Sequence, residues 1–174
     1  PCPAINHALF ASMKIYNRGD DNLNDFYAGT WVDPDLGFYL DDYVGCNVGQ
    51  DLGYVYNGDA EDEGVRGYST LCDQPLVLPP PAQGLVYLNQ SMSKFMYYKN
   101  DFTVIGNPSE GTHYYNYLQG IWKDNVPVTF GGDGHGSGLG ATTNVSNYMF
   151  PGTTDPAFPG QEWTEVTAGN IPAD

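Results

Sequence analysis

The sequence predicts a mostly β fold, an antiparallel β-sandwich-like domain with long loops and one short helix. The 174 residues include 22 glycines and 13 prolines, which divide the chain by turns, and 14 tyrosines, eight phenylalanines and three tryptophans, which favour strands. Several short runs alternate between apolar and polar residues, whereas long stretches of helical period are missing. A chain of this length can bury a sizeable core.

Two strands are predicted near the N-terminus. Residues 7–17 and 25–32 alternate loosely, and the residues between them have the composition of a turn. We therefore expect the two strands to pair as a hairpin with a longer loop. The first strand would present on one side Leu9, Ala11, Met13 and Ile15.

Further strands are predicted over residues 38–44, 52–57, 85–104 and 126–130. Residues 111–123 form the one convincing helix candidate, after a candidate cap at Thr112. Its apolar stripe at helical spacing is more often core than a cofactor site, and consists of Tyr114, Tyr117, Leu118 and Ile121.

The composition divides the chain into an acidic β region over residues 1–68 and a second β region over 84–174. Residues 69–83 are rich in proline, and we interpret them either as a connection or as a gap in a discontinuous piece. The two regions are expected to form one composite domain. Because the chain begins at Pro1, we expect it to be a piece of a longer protein.

The charge balance restricts the partners. Six basic and 21 acidic residues give a net charge of −15, which argues against nucleic acid and anionic membrane surfaces. The longest apolar runs fall far short of the ~20 residues needed to span a bilayer. Low lysine and scattered acidic loops favour a secreted or outer-surface location.

Three cysteines, Cys2, Cys46 and Cys72, match no zinc spacing. They allow one disulfide and one free thiol, and their pairing stays open. For Cys46, burial as a small apolar residue is as good an interpretation as a bridge.

The acidic stretch from residue 33 to residue 64 is the strongest site candidate. Two carboxylates ~4 Å apart repel by roughly 4 kcal/mol at an effective dielectric of ~20, so crowded carboxylates favour a bound cation. Calcium takes such oxygen ligands. The loop at 59–64 begins like an EF-hand but has Thr70 at the closing position. The predicted Ca²⁺ ligands are Asp33, Asp35, Asp41, Asp42, Asp59 and Asp62.

The glycine-rich loop at residues 131–140 is the second conspicuous feature. It lacks the Gly-Lys-Ser/Thr of a phosphate-binding loop, so its glycines indicate close backbone approach instead. Its polar side chains are Asp133, His135 and Ser137.

No catalytic constellation is strong. The three histidines lack zinc spacing, and Ser137 lacks the flanking glycines of a nucleophile elbow. Glu162 and Glu165 are the best glycosidase pair, but positions three apart on a strand face opposite sides. Trp31, Trp122 and Trp163 are candidates for stacking on sugars, although burial is the commoner fate.

Nearly the whole chain resembles a recurrent region of large secreted Bacteroidota proteins of the type IX secretion cargo kind, which carry a C-terminal type A sorting domain. The resemblance rests on FYAGTWVDPDLGFYLDDYVGC, DLGYVYNGDAEDEG, DFTVIGNPSEGTHYYNYLQGIWKDNVPVTFGGDGHG, YMFPGTTDP and EWTEVTAGNIPAD. It excludes residues 69–83, where the family has a longer and different insert. The resemblance implies export by the type IX secretion machinery and a surface role, and it implies no reaction.

Together these observations predict an extracellular, calcium-stabilised structural or adhesive module of a cell-surface bacterial protein, without membrane insertion. Its expected partners are other surface proteins or glycans. The alternative is a glycan-binding or glycan-cleaving module with the 131–140 loop as the floor of a cleft.

Overall fold

The computed structural model describes residues 4–36, 39–58 and 82–170. Its regular elements in chain order are a 3-10 helix at Ala4–His7, strand β1 at Asp42–Asn47, a 3-10 helix at Val48–Gln50, strand β2 at Leu52–Asn57, strand β3 at Ala82–Val86 and helix α1 at Gly111–Leu118.

The three strands form one antiparallel sheet in the order β1-β2-β3. Val55 in the middle of β2 pairs with Val44 of β1 and with Gln83 of β3. Between β1 and β2 the chain turns through Val48–Gln50, where the Asn47 side chain accepts the Gln50 N–H over 3.2 Å. The fold prediction is confirmed in part, since an antiparallel sheet and one short helix are present. A second sheet, which a sandwich needs, is not found within 4–36, 39–58 and 82–170.

The strand at 52–57 lies where the sequence predicts it, but β1 begins four residues later than the predicted 38–44 strand. The reason is the turn before β1, which is closed when the Leu36 N–H donates to Asp42 Oδ2. The chain can extend as a strand only after this turn.

The predicted N-terminal hairpin is wrong. Residues 8–17 and 26–36 contain no strand, and neither segment makes a backbone–backbone hydrogen bond to any described residue. The alternation of apolar and polar residues indicates that a segment can form a strand, but a strand also needs a neighbouring strand to pair with. Here the two segments do not pair with each other.

The predicted strands at 85–104 and 126–130 are largely replaced by irregular chain. β3 begins three residues earlier and ends at Val86. Beyond it only isolated bridges occur, such as Phe95 with Tyr148 and Thr129 with Val145. Tight turns interrupt the runs, for example where Asp101 Oδ1 accepts the Thr103 N–H over 2.8 Å.

Helix α1 confirms the predicted helix but ends before residue 123. Gly120 has a φ of 70° and donates its N–H to the Tyr117 carbonyl, which ends the helix as a left-handed glycine does. Glu110, not Thr112, is the N-cap residue, and its side chain makes no capping hydrogen bond. Of the predicted apolar stripe, Tyr117 is buried, while Tyr114 and Leu118 are exposed.

The core lies in the second half of the chain, although that half contains little regular structure. Trp122, Trp163, Met149 and Phe150 are each at most 2% exposed. Around them pack further rings, including Phe130 stacked on Phe158 with centroids 4.2 Å apart. The irregular chain also packs on the sheet, since a Cβ on Gly53 would lie 2.6 Å from the ring of Phe95. The predicted connection at 69–83 lies outside the described residues except for its last two, which begin β3.

Candidate functional site

The predicted calcium ligands that the structure describes lie around the turn leading into β1. Asp33 and Asp35 are exposed, Asp41 is half-buried and Asp42 is 8% exposed. The hydrogen bond from Leu36 N to Asp42 Oδ2, 2.8 Å long, ties the turn to the start of the strand. The Asp42 side chain is buried at the start of β1, and the carboxylate oxygens of Asp41 are buried as well.

These carboxylates do not complete a metal site by themselves. Within the described ranges no three or more His, Cys, Asp or Glu side chains are grouped so that they could hold a metal ion. Asp59 and Asp62, the remaining predicted ligands, lie outside the described residues. The calcium site therefore stays a prediction.

The glycine-rich loop confirms the predicted close backbone approach. A Cβ on Gly132 would lie 1.9 Å from the Ser137 carbonyl oxygen, and one on Gly131 would lie 2.0 Å from the Gly140 carbonyl oxygen. No side chain fits at either position. Positive φ angles are found at Gly131, Gly132, Gly134, Gly136, Gly138 and Gly140.

The polar side chains of this loop are used within the loop and its neighbour. Asp133 Oδ1 accepts the N–H groups of His135 and Ser137, over 2.8 Å and 3.1 Å. His135 Nε2 lies 2.8 Å from Asp124 Oδ2, and both side chains are partly exposed. These contacts fold the loop and do not form a phosphate-binding cradle.

Two tryptophans donate hydrogen bonds to the backbone of this loop. Trp122 Nε1 donates to the Gly134 carbonyl over 2.8 Å, and Trp163 Nε1 donates to the Gly132 carbonyl over 3.1 Å. Both indoles are buried, so their N–H groups need such acceptors. Only Trp31 among the three tryptophans is exposed, by 66%.

Glu165 is the most deeply buried carboxylate of the described residues. It is 1% exposed, and its Oε2 accepts the Val44 N–H over 2.5 Å. Burial raises the pKa of this carboxyl to about 7, against smaller lowering by the Val44 hydrogen bond and the charge of Lys99. Glu162 is exposed, so the two glutamates do not face a common cleft. Sequence reasoning missed the role of Glu165 because its partner is 121 positions away.

Glu165 is one of three acceptors that close the outer edge of β1. An edge strand normally presents unpaired N–H groups, which invite other strands. Segment 150–165 satisfies them here. Val44 donates to Glu165, Cys46 to the Phe150 carbonyl and, just beyond the strand, Val48 to the Thr154 hydroxyl.

Cys46 is free and buried, as the simpler of its two interpretations predicts. Burial raises the pKa of its thiol to about 12, with a smaller contribution from the charge of Asp155. The thiol is therefore neutral at physiological pH and poorly nucleophilic. Cys2 and Cys72 lie outside the described residues.

A cavity beside the core, lined by Tyr97, Trp122 and Met149 among others, has a volume of about 10 Å³. This is roughly the space of one water molecule.

A larger feature is the exposed N-terminal arm, which we define as residues 8–24. Its apolar side chains face solvent, with Leu9 95% and Met13 76% exposed. Exposed apolar surface on this scale marks sites of interaction. The other large exposed apolar side chains of the arm are Phe10, Ile15, Tyr16 and Leu23.

The arm is fixed at its root, residues 25–31. The Tyr115 hydroxyl donates to the Asp25 carbonyl over 2.7 Å, and the Tyr27 and Tyr115 rings meet edge to face. The Thr30 N–H donates to the Tyr87 hydroxyl over 3.2 Å. Trp31 Nε1 donates to the Tyr98 hydroxyl. The root itself thus contacts α1 and the residue that follows β3, and it anchors the base of the arm there.

The chain matches no protein-family model, and comparisons with curated proteins and with solved structures give no match either. In the part of the chain that the structure describes, no helix is both long enough and apolar enough to cross a membrane.

Proposed function

We propose that this chain is an extracellular structural or adhesive module and that the N-terminal arm is its contact surface. The observation that carries the proposal is the exposure of several large apolar side chains close together on a segment without backbone partners in the described chain. Isolated exposed apolar residues are ordinary, but a contiguous series is characteristic of a surface that another molecule covers. The root keeps this series away from the core.

A secreted or outer-surface location is part of the proposal. It is supported by the resemblance to type IX secretion cargo and by the acidic, lysine-poor composition. In this proposal the type IX machinery is a partner during export, and surface proteins or glycans are the partners afterwards.

Adhesion can be measured by adsorption of the purified chain on a sensor coated with outer-membrane vesicles from Bacteroidota cells. A variant with Leu9, Phe10, Met13 and Ile15 all changed to serine should be retained at least about 10-fold less, because loss of buried apolar area weakens binding. The matched control changes the exposed Val145 and Val166, which lie outside the arm, to serine. Equal retention of all three proteins would refute the arm as the contact surface.

We further propose that Ca²⁺ stabilises the turn before β1. The proposal is supported by the hydrogen bond that ties residues 33–36 to Asp42 and by the partial burial of Asp41. Calcium takes six to eight oxygens, so the described carboxylates would need Asp59, Asp62 or backbone carbonyls to complete the shell. When bound, the ion would neutralise the crowded carboxylates.

Thermal unfolding tests this part. Saturating calcium should raise the unfolding midpoint by about 5–10 °C over a chelator-treated sample, because a ligand at about 100 times its Kd contributes about 2.7 kcal/mol. Asp41→Asn with Asp42→Asn should abolish the difference. Asp20→Asn with Asp21→Asn in the exposed arm should leave it intact. An identical unfolding midpoint with chelator and with calcium would show that no calcium ion stabilises the fold.

A glycan-binding or glycan-cleaving module is the second candidate, and the exposed ring of Trp31 is the observation that favours it. A glycan array and a hydrolysis screen on the same protein distinguish the two functions. Glycan binding or hydrolysis that disappears in Trp31→Ala would support the glycan function. No binding and no hydrolysis would favour the structural or adhesive module.

A further inference from the structure

The two edges of the sheet differ in how their backbone groups are satisfied. The outer edge of β1 is closed by segment 150–165, as described above. At the other edge, Tyr87 donates its N–H to Asp51 on the β2 side over 3.2 Å. Because neighbouring strand positions direct their backbone groups in opposite directions, Gly84 and Val86 point away from β2. They have no hydrogen-bond partner among the described residues.

The backbone groups in the first part of the arm are also unpaired among the described residues. Residues 8–16 alternate, with Leu9, Ala11, Met13 and Ile15 on one side, yet their backbone has no partner within the described ranges. Nine extended residues span about 30 Å, and β3 needs only about 17 Å. The segment is therefore long enough to pair with all of β3.

The charge of the first part of the arm is opposite to that of the rest of the chain. Residues 1–19 contain Lys14 and Arg18 and no acidic residue, whereas all 21 acidic residues lie at or beyond Asp20. The basic arm segment is thus attracted to the acidic remainder of another copy, and this local attraction acts against the repulsion between two chains that each carry a net charge of −15.

The position of the root makes reciprocal exchange geometrically simple. Thr30 contacts the Tyr87 hydroxyl, and Tyr87 directly follows β3. The root of each arm therefore passes beside the end of the edge that would receive the arm of the other copy. A two-fold pair with the same contact made twice satisfies both copies.

We propose that residues 8–16 add as a strand to the outer edge of β3 in a second copy of this chain, and that the exchange is reciprocal. The proposal rests on the proposed function of the arm as a contact surface and names its partner. Main-chain hydrogen bonds from Gly84 and Val86 supply the ladder, and the alternating side chains supply the apolar contact.

Sedimentation velocity of the intact chain between about 1 µM and about 100 µM tests the proposal. A dimer should form as the concentration rises. Ser12→Pro and Met13→Pro are compared in the middle of the arm segment, because neighbouring N–H groups point to opposite sides and one of the two prolines must remove a ladder donor. That variant should weaken dimerisation at least about 10-fold. Asn22→Pro, also in the exposed arm but outside the pairing segment, is the matched control and should dimerise normally.

The receiving edge is tested by Val86→Pro, which removes an outward N–H and leaves the donors directed at β2 in place. Dimerisation should fall by a similar factor, with an unchanged circular dichroism spectrum as the check on folding. Since Ser12 and Met13 lie in the exposed arm, their variants keep the test decisive if Val86→Pro unfolds. Lys14→Glu should weaken dimerisation several-fold at low salt and less at high salt.

A monomer at every concentration would overturn the proposal, as would a dimer insensitive to both Ser12→Pro and Met13→Pro. Protection of the arm amides in a monomer would show that the arm docks on its own β3 instead. Loss of adhesion with dimerisation intact would reject the proposed function alone, and adhesion without dimerisation would reject only the strand exchange.

Discussion

Two regions of this protein lack regular secondary structure for opposite reasons. The arm at residues 8–24 is exposed and makes no backbone hydrogen bond to the rest of the described chain. The segment from residue 121 to residue 170 is equally poor in helix and strand, but it contains Trp122, Met149 and Trp163 in the core. Its backbone groups pair with one another across tight turns.

The comparison teaches that irregular chain can be either a core or a contact surface. The two cases differ in whether the backbone groups are hydrogen-bonded and whether the large side chains are buried. Substitutions in the core, at the β1 edge, in the glycine-rich loop and in the arm test this separation.

Removing a core indole should have the largest effect. Trp163→Ala should lower the free energy of unfolding by about 4 kcal/mol, because it leaves a cavity and removes the donor to Gly132. Trp31→Ala at the root is the matched change and should cost at most about 1 kcal/mol. Denaturant titration measures both. Similar losses would erase the distinction between the regions.

The buried carboxyl of Glu165 should make stability fall as the pH rises. Its pKa is raised from 4.5 to about 7 in the folded protein, so folding favours the protonated form. The stability that protonated Glu165 contributes is fully present below the pKa of the unfolded chain. It is lost as the pH rises through about 7, which lowers the free energy of unfolding by about 3 kcal/mol. Urea titrations across this interval should show the fall.

Glu165→Gln should remove this pH dependence, because an amide oxygen still accepts the Val44 N–H without ionising. Glu162→Gln at the exposed neighbour should leave the dependence as it is. A Glu165→Gln protein with the same fall in stability would contradict the account of the β1 edge.

Two glycines of the 131–140 loop allow a test within one turn. Gly132→Ala should cost about 2 kcal/mol or more, since its Cβ would collide with the Ser137 carbonyl. Gly136→Ala meets no atom within 4 Å and should cost only the strain of its positive φ, about 1 kcal/mol. Thermal unfolding of the two variants gives the ranking, and equal midpoints would show that the backbone there is not closely packed.

Changes in the arm should have the smallest effect on stability. Leu9→Ser and Met13→Ser should each change the free energy of unfolding by less than about 0.5 kcal/mol in dilute solution, because both side chains are exposed. Larger losses would mean that the arm contributes to the fold.

Local patterns predict part of this fold well. The strand at 52–57, the start of the helix and the glycine approach at 131–140 depend on near neighbours, so the sequence indicates them directly. The prediction of an N-terminal hairpin is wrong because the alternation of apolar and polar residues does not indicate which strand a segment pairs with.

The site is predicted less well, since its contacts join distant parts of the chain. Glu165 meets Val44 across 121 positions, and no spacing rule reports such a contact. Strand alternation does not account for the buried Asp42 either, because Asp41 precedes β1 and its carboxylate oxygens are buried as well.

Amide hydrogen exchange at about 1 µM tests the central claim most directly, since dilution keeps the arm free of partners. We predict that amides of residues 8–24 exchange at the rate of an unstructured peptide, while those of Phe130, Ser146 and Trp163 are strongly protected. Protected amides in the arm, or rapid exchange at those three positions, would contradict the account.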